Sequence, residues 1–435
     1  MSSRGLHSSS EPQTPWGRET MTSLYSIDHL DELEPQPDAD KFPDGGRQAW
    51  LVAAGTAGIM FCSLGYTNSF GVFQAHYMRY QLRDYSPNDI SWIGSTQGFL
   101  VFASGAIGGP IFDRYGAVVI APAAVLYVTS IMLTSIASEY WHFMLAQGIL
   151  SGISNGLLMF PAMSATPQYF LKKRGIAMGL AIAGSSVGAI VFPIVLSELL
   201  SKVGFGWAVR ACGFIMAPVL LFSTLTVKSR LPPRKSRFFL LSAFRDPVYG
   251  FLTGGIFFLF MDMFTPLFFM SSYGIRQGMS EKLASYLVAV VNGASIPGRI
   301  IPGALGDKFG RLNTLIIAGL LTAVTTFCWT LARSTPGIIV YAAAFGFTSG
   351  AIVSGGSVAF TLCPKSPQDI GTYMGMGITA SSIAVLMGPP INGALLERFQ
   401  GFLAPAIFSG AVGILGTVLT CLAKHHTGSG VLGKT

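Results

Sequence analysis

Two charged residues stand where charge is costly. Asp262 lies within Phe257-Phe-Leu-Phe-Met-Asp262-Met-Phe-Thr265-Pro266, and Arg299 interrupts an apolar run over 283–305. An ionisable group in such a run is expensive and normally faces a cavity or a partner. Two further acids sit in matching glycine-rich segments. These are Gly109-Pro-Ile-Phe-Asp113-Arg114-Tyr-Gly116 and Gly303-Ala-Leu-Gly-Asp307-Lys308-Phe-Gly310-Arg311. Their glycines permit close helix packing and a tight turn, and each Asp can pair with a nearby Arg and face a helix N-terminus. This is the chemistry of binding and of conformational change. Bond-breaking chemistry has no support. Gly184-Ser-Ser186-Val-Gly188 matches G-x-S-x-G, but a nucleophile elbow needs a strand–turn–helix and this match lies in an apolar helical run. His7, His29, His76, His142, His425 and His426 lie in the tails or near helix ends, so no triad forms and an enzyme is excluded. No phosphate-binding loop is present, which leaves a gradient as the energy source. Cys62, Cys212, Cys328, Cys363 and Cys421 show no C-x-x-C spacing, so no metal, cofactor or disulfide framework is expected.

The elements that position these residues are apolar helices. Hydrophobic residues make up 51% of the 435 and charged residues only 11%. Soluble domains carry about 25% charge. That difference excludes a cytosolic enzyme, a disordered chain and a disulfide scaffold. Long apolar runs also argue against an outer-membrane barrel, whose strands alternate. A spanning helix needs about 20 apolar residues. Twelve candidate spans meet this: 47–76, 90–112, 115–138, 143–171, 175–197, 211–227, 247–275, 283–305, 312–332, 334–364, 370–396 and 399–423. With the N-terminus inside, the inner loops carry fourteen Lys and Arg and the outer loops seven. The bias places both termini in the cytoplasm. The net charge of +8 therefore reflects membrane topology, and nucleic acid is not an expected partner. The first 46 residues hold nine acidic and three basic residues with many Ser and Pro, and read as a disordered acidic cytosolic tail.

The chain repeats itself. A shift of 194 residues places Gly109, Asp113 and Gly116 on Gly303, Asp307 and Gly310, and Gly152 and Gly156 on Gly346 and Gly350. A shift of 196 places Met178, Gly179, Ser185, Ser186 and Pro193 on Met374, Gly375, Ser381, Ser382 and Pro389. The expected organisation is therefore a tail (1–46), a six-helix half (47–228), a basic cytosolic linker (229–247), a second six-helix half (248–424) and a C-terminal tail (425–435). The expected fold class is an all-α polytopic membrane protein with twelve transmembrane helices in two pseudo-symmetric halves.

The two Asp-containing segments resemble the G-x-x-x-D-[RK]-x-G signature of the major facilitator superfamily. Asp44-Gly45-Gly46 before Trp50, Lys173-Arg174-Gly175-Ile-Ala177-Met-Gly179 leading into Ala183-Gly184-Ser185-Ser186, and Gly388-Pro389-Pro390 resemble its monocarboxylate porter family, especially the fungal branch. The resemblance runs from about Asp44 to Lys424.

It implies alternating access, with substrate held between the halves near the midplane and a plasma-membrane location. It implies that Gly109, Asp113, Arg114, Gly116, Gly303, Asp307, Lys308, Gly310 and Arg311 form a conformational latch. Arg299 matches the family Arg that pairs with a substrate carboxylate. The family acid four residues earlier is Ser295 here, and the family Lys of the first span aligns with Asn68. Those departures weigh against simple lactate–proton symport. Asp262 falls on Thr67, beside Asn68, under a shift of 195, which makes it a candidate proton-carrying or substrate-contacting group that could pair with Arg299. Substrate-binding candidates are thus Arg299, Asn68, Asp262, Ser295 and Asn292. Gly148, Gly152 and Gly156 form a bare stripe that reads as close helix packing. The Arg of the R-x-x-Q-G antiporter motif is replaced in Met144-Leu-Ala-Gln147-Gly148, which weakens a drug-antiporter assignment. The expected function is export of an organic acid or secondary metabolite by a monomer in a lipid bilayer, with protons as a candidate coupling ion. Proton-coupled monocarboxylate import is the alternative, and a non-transporting nutrient sensor is a further one.

Overall fold

The computed structural model describes residues 42–232, 238–428 and 433. Most of the expected N-terminal tail, the centre of the basic linker and most of the C-terminal tail lie outside the described residues. Among those residues there is no strand. Ten helical stretches are long and apolar enough to cross a membrane: α1 Gly46–Arg79, α2 Asn88–Thr134, α3 Tyr140–Gln168, α4 Arg174–Thr226, α5 Pro247–Arg276, α6 Glu281–Phe309, α7 Arg311–Leu331, α8 Thr335–Phe360, α9 Pro367–Phe399 and α10 Leu403–His426. Their starts carry the expected caps. Ser86, Asp246, Ser280 and Ser334 each accept a backbone N–H of the first turn with a side-chain oxygen, which satisfies donors a helix start leaves orphaned.

Ten stretches and twelve expected spans are reconciled by two doubled-back helices. A straight helix of 53 residues would run about 80 Å, far beyond a hydrocarbon core of about 30 Å. α4 has that length and breaks at Gly204, with φ 77° and ψ 171°. Its first limb runs alongside α1 in the same direction, with Gly184 against Ala57 and Gly188 against Gly65. Its second limb runs back: Met216 meets Cys62, Val219 meets Gly58, and Ser223 meets Gly55. α2 turns likewise at Gly116, with φ 70° and ψ −155°. Ten stretches therefore make twelve limbs.

The Gly204 conformation lies in a region open essentially to glycine alone, where another residue costs roughly 1–3 kcal/mol. A Cβ at Gly204 would meet nothing within 4 Å, so strain is the only penalty. Gly204→Ala is expected to lower the melting temperature of the detergent-purified protein. Melting equal to the parent would show that the turn relaxes freely.

Small residues bring the limbs together, as expected where lipid and side chain are equally apolar. The Gly148, Gly152 and Gly156 stripe lies on the backbone and side chains of residues 93–104. The pseudo-equivalent Gly346 and Gly350 lie on Val291 and Ser295. A Cβ at Gly65 would stand 2.6 Å from the Gly188 Cα. Each half has its own apolar core. That of the first half gathers around Tyr66, Phe73, Tyr127 and Phe192, and that of the second around Tyr249, Leu259, Trp329 and Phe345. The second core extends across to Phe160, Met178 and Ile182 of the first half, which marks the contact between them.

Candidate functional site

Each Asp of the repeated motif caps a helix of the opposite half. Asp113 accepts the backbone N–H groups of Gly371 (3.1 Å) and Thr372 (2.6 Å) and the Thr372 hydroxyl (2.7 Å). Asp307 accepts the N–H groups of Gly175 (2.8 Å) and Ile176 (3.0 Å). Both acids therefore sit at the positive end of a partner helix, where negative charge is favoured. The crossings repeat at the backbone. A Cβ on Gly109 would overlap the Gly371 carbonyl oxygen, and one on Gly303 would overlap that of Gly175. One turn further in, Gly105 meets Gly375 and Arg299 meets Gly179 in the same way.

The Asp307 crossing carries a supporting cation. Arg311 holds Asp307 at 3.2 Å through both Nε and a terminal nitrogen, and also reaches the Leu171 carbonyl across the halves. In the first half the position equivalent to Arg311 is Ala117, and the Thr372 hydroxyl adds a bond to Asp113. Gly116 and Gly310 supply the positive-φ turns that end these segments. Arg114 and Lys308 were expected in the latch but are exposed, and each lies over the ring of the next residue, Tyr115 and Phe309. They follow Asp on the helix and point away from the partner half.

Further in lies a polar layer shared by both halves. The Arg299 guanidinium donates to the Ile182 carbonyl (2.8 Å) and to the Ser185 hydroxyl. Its Nε is buried and has no hydrogen-bond partner among the described residues. Ser295, one turn earlier on α6, shares a 2.7 Å hydrogen bond with Ser186. The Thr379 hydroxyl donates to the Phe102 carbonyl at 3.0 Å, and the Phe102 ring approaches Phe260 and Phe264. Among the described residues, the hydrogen bonds between the halves all fall between this layer and the Asp113/Asp307 face. The molecule is thus held shut at that face.

The expected substrate residues divide. Arg299, Ser295 and Asn292 lie along one side of α6, with Asn292 buried and donating to the Val288 carbonyl. Asn68 is exposed and bonded to Leu64 of its own helix, outside this layer. Asp262 is not brought to Arg299, which corrects the expected pairing. From α5 it points into the second half, against Gly413 of α10 and Ala323 of α7, whereas Arg299 points across to α4.

The sequence reading missed two contributors. Asp44 was quoted only as part of a resemblance. Its Oδ1 accepts three successive N–H groups, from Leu171, Lys172 and Lys173, at 2.7, 2.7 and 3.2 Å. It thereby shapes the loop whose next N–H groups bind Asp307. The positive φ at Asp44 and at both following glycines makes this possible, and the Asp-Gly-Gly run was the available signal. Arg174 was counted as a loop charge, yet it is buried and bridges the halves to the Thr361 hydroxyl (3.2 Å) and carbonyl (3.3 Å).

Comparison with known proteins agrees with this geometry. The family model described as Major Facilitator Superfamily matches residues 55–363 and 276–432. The aspyridones efflux protein apdF of Emericella nidulans is 49% identical over 395 residues, covering 91% of this chain and 81% of that protein. The agnestins efflux protein AgnL12 of Paecilomyces divaricatus is 39% identical over 395 residues, covering 89% and 90%. Among solved structures, the human organic anion transporter MFSD10 matches with a TM-score of 0.70 at 16% identity, covering 86% of this chain and 100% of that one. That likeness speaks for the fold.

Proposed function

The chain belongs to the Major Facilitator Superfamily, and from that premise we propose that it exports an acidic organic metabolite across the plasma membrane. Membership makes it an integral membrane transporter and not an enzyme. The finer reading is a secondary transporter of the monocarboxylate porter type, working by alternating access with both termini in the cytosol. Support for export comes from the names of the relatives, two of which are efflux proteins for secondary metabolites.

Support for an acidic cargo comes from one observation. Arg299 is buried between the halves and, among the described residues, is held by neutral acceptors. A guanidinium carries five N–H donors, and isolating its charge from water costs several kcal/mol. A carbonyl and a hydroxyl offset part of that cost. A carboxylate or enolate arriving from the cargo would complete it, and the planar fork suits such a group. Ser185 and Ser186 of α4 and Ser295 of α6 surround the same position and could trade their mutual bonds for bonds to cargo.

Paired metabolite profiling of cells and medium, with and without the gene, tests the direction. A compound that accumulates in deletion cells and falls in the medium supports export. A supplied monocarboxylate left untouched in the medium would reverse the reading to import. Arg299→Lys tests the anion role. Lys keeps the charge and loses the fork, so one charge-assisted bond of roughly 1.5–3 kcal/mol goes with it. Transport of the identified compound is expected to fall about 10- to 150-fold at unchanged expression. Undiminished transport would remove Arg299 from the cargo site.

A further inference from the structure

Asp262 is fully buried, and neither of its carboxylate oxygens has a hydrogen-bond partner among the described residues. Its surroundings come from three other helices. Gly413 of α10 lies directly against Oδ2, and a Cβ there would overlap it. Ala323 and Thr326 of α7 face the carboxyl, and Tyr341 of α8 lies within electrostatic reach. The Thr326 and Tyr341 hydroxyls are themselves buried without partners, as is the indole N–H of Trp329, whose ring stacks on Tyr341. The pocket belongs to the second half alone.

The titratable groups around it are few. Tyr341 of α8, Tyr273 of α5 and Cys328 of α7 make up the nearby set. α10 offers only Gly413 at the contact. Among the described residues no ion pair reaches Asp262. An ionised carboxylate without a partner at this depth would be very unfavourable. A neutral acid would not: its O–H can be donated to the Thr326 hydroxyl.

We propose that Asp262 is a proton-binding site of the second half, occupied by a proton in this closed arrangement and enclosed by Thr326 and the bare backbone of Gly413. The site is separate from the Arg299 layer and does not depend on cargo or direction. Gly413 is what makes room for it.

The test is infrared spectroscopy of the full chain in phosphatidylcholine vesicles at neutral pH. Wild type is expected to show the carbonyl stretch of a neutral carboxylic acid, shifted in heavy water, and Asp262→Asn is expected to lose it. Asn is close in shape to the neutral acid, so the variant is expected to insert and fold. Should it fail to fold, Asp262→Glu decides instead: the band must move in frequency. A wild type with no such band, a band indifferent to both substitutions, or a band abolished by added sodium would each overturn the proposal. Because no cargo is used, failure here leaves the export reading standing.

Discussion

Valine at Gly109 is expected to stop transport, lowering it about 100-fold or more at normal surface expression. The reason is geometric. Even one Cβ at this position would overlap the carbonyl oxygen of Gly371, and a backbone carbonyl at a helix start cannot rotate away. The crossing must widen, and Asp113, one turn along, loses its reach to Gly371 and Thr372. Charge-assisted bonds of this kind contribute roughly 1.5–3 kcal/mol each, so losing even two of them shifts the closed state by about a hundredfold or more. A transporter that cannot close one face cannot complete its cycle. Spin labels at the exposed positions Arg114 and Lys365 are expected to sit farther apart in Gly109→Val than in the parent. An unchanged distance together with full transport would show that the crossing is not a closing contact. Gly109→Ala is expected to lie between the two.

The same crossing shows what was readable from the chain alone. Gly109, Asp113, Gly303 and Asp307 stood out because they recur at one spacing in two halves, and repetition is independent of tertiary detail. The partners on the other side did not stand out. Gly371 and Thr372 offer backbone N–H groups, which every residue possesses, so their role depends on where the helix begins. Arg174 read as a loop charge because its neighbours Lys172 and Lys173 are exposed, yet its guanidinium turns inward to Thr361. Asp262 was legible as a costly group but not as to direction. Its apolar run has no polar stripe to say which side of α5 faces the pathway, and only the bare backbone of Gly413 on a distant helix reveals where the carboxyl fits. The twelve spans were recovered from hydropathy, while their merger into ten stretches turned on two positive-φ glycines that hydropathy does not detect.

Asp113→Asn removes the charge from the same latch while leaving its shape. One amide oxygen can still accept an N–H, but the amide nitrogen now faces a donor at Gly371 or Thr372. The closed face is expected to lose about 2–3 kcal/mol, roughly 30- to 150-fold in population. Asp307→Asn removes the charge from the second crossing and also strands Arg311, whose two contacts at 3.2 Å hold that carboxylate. Asp113 and Asp307 share no hydrogen-bonding partner in the bonds described above. If the halves close as rigid bodies, both latches form in one event, and their losses add in free energy and multiply in population. The double variant then falls well below either single one in the closed-face distance signal. A double variant no worse than Asp307→Asn alone would mean that the α4/α6 crossing closes first and that the Asp113 crossing only follows it. Measuring the closed fraction of all three variants by the same pair of labels separates concerted closure from this ordered alternative.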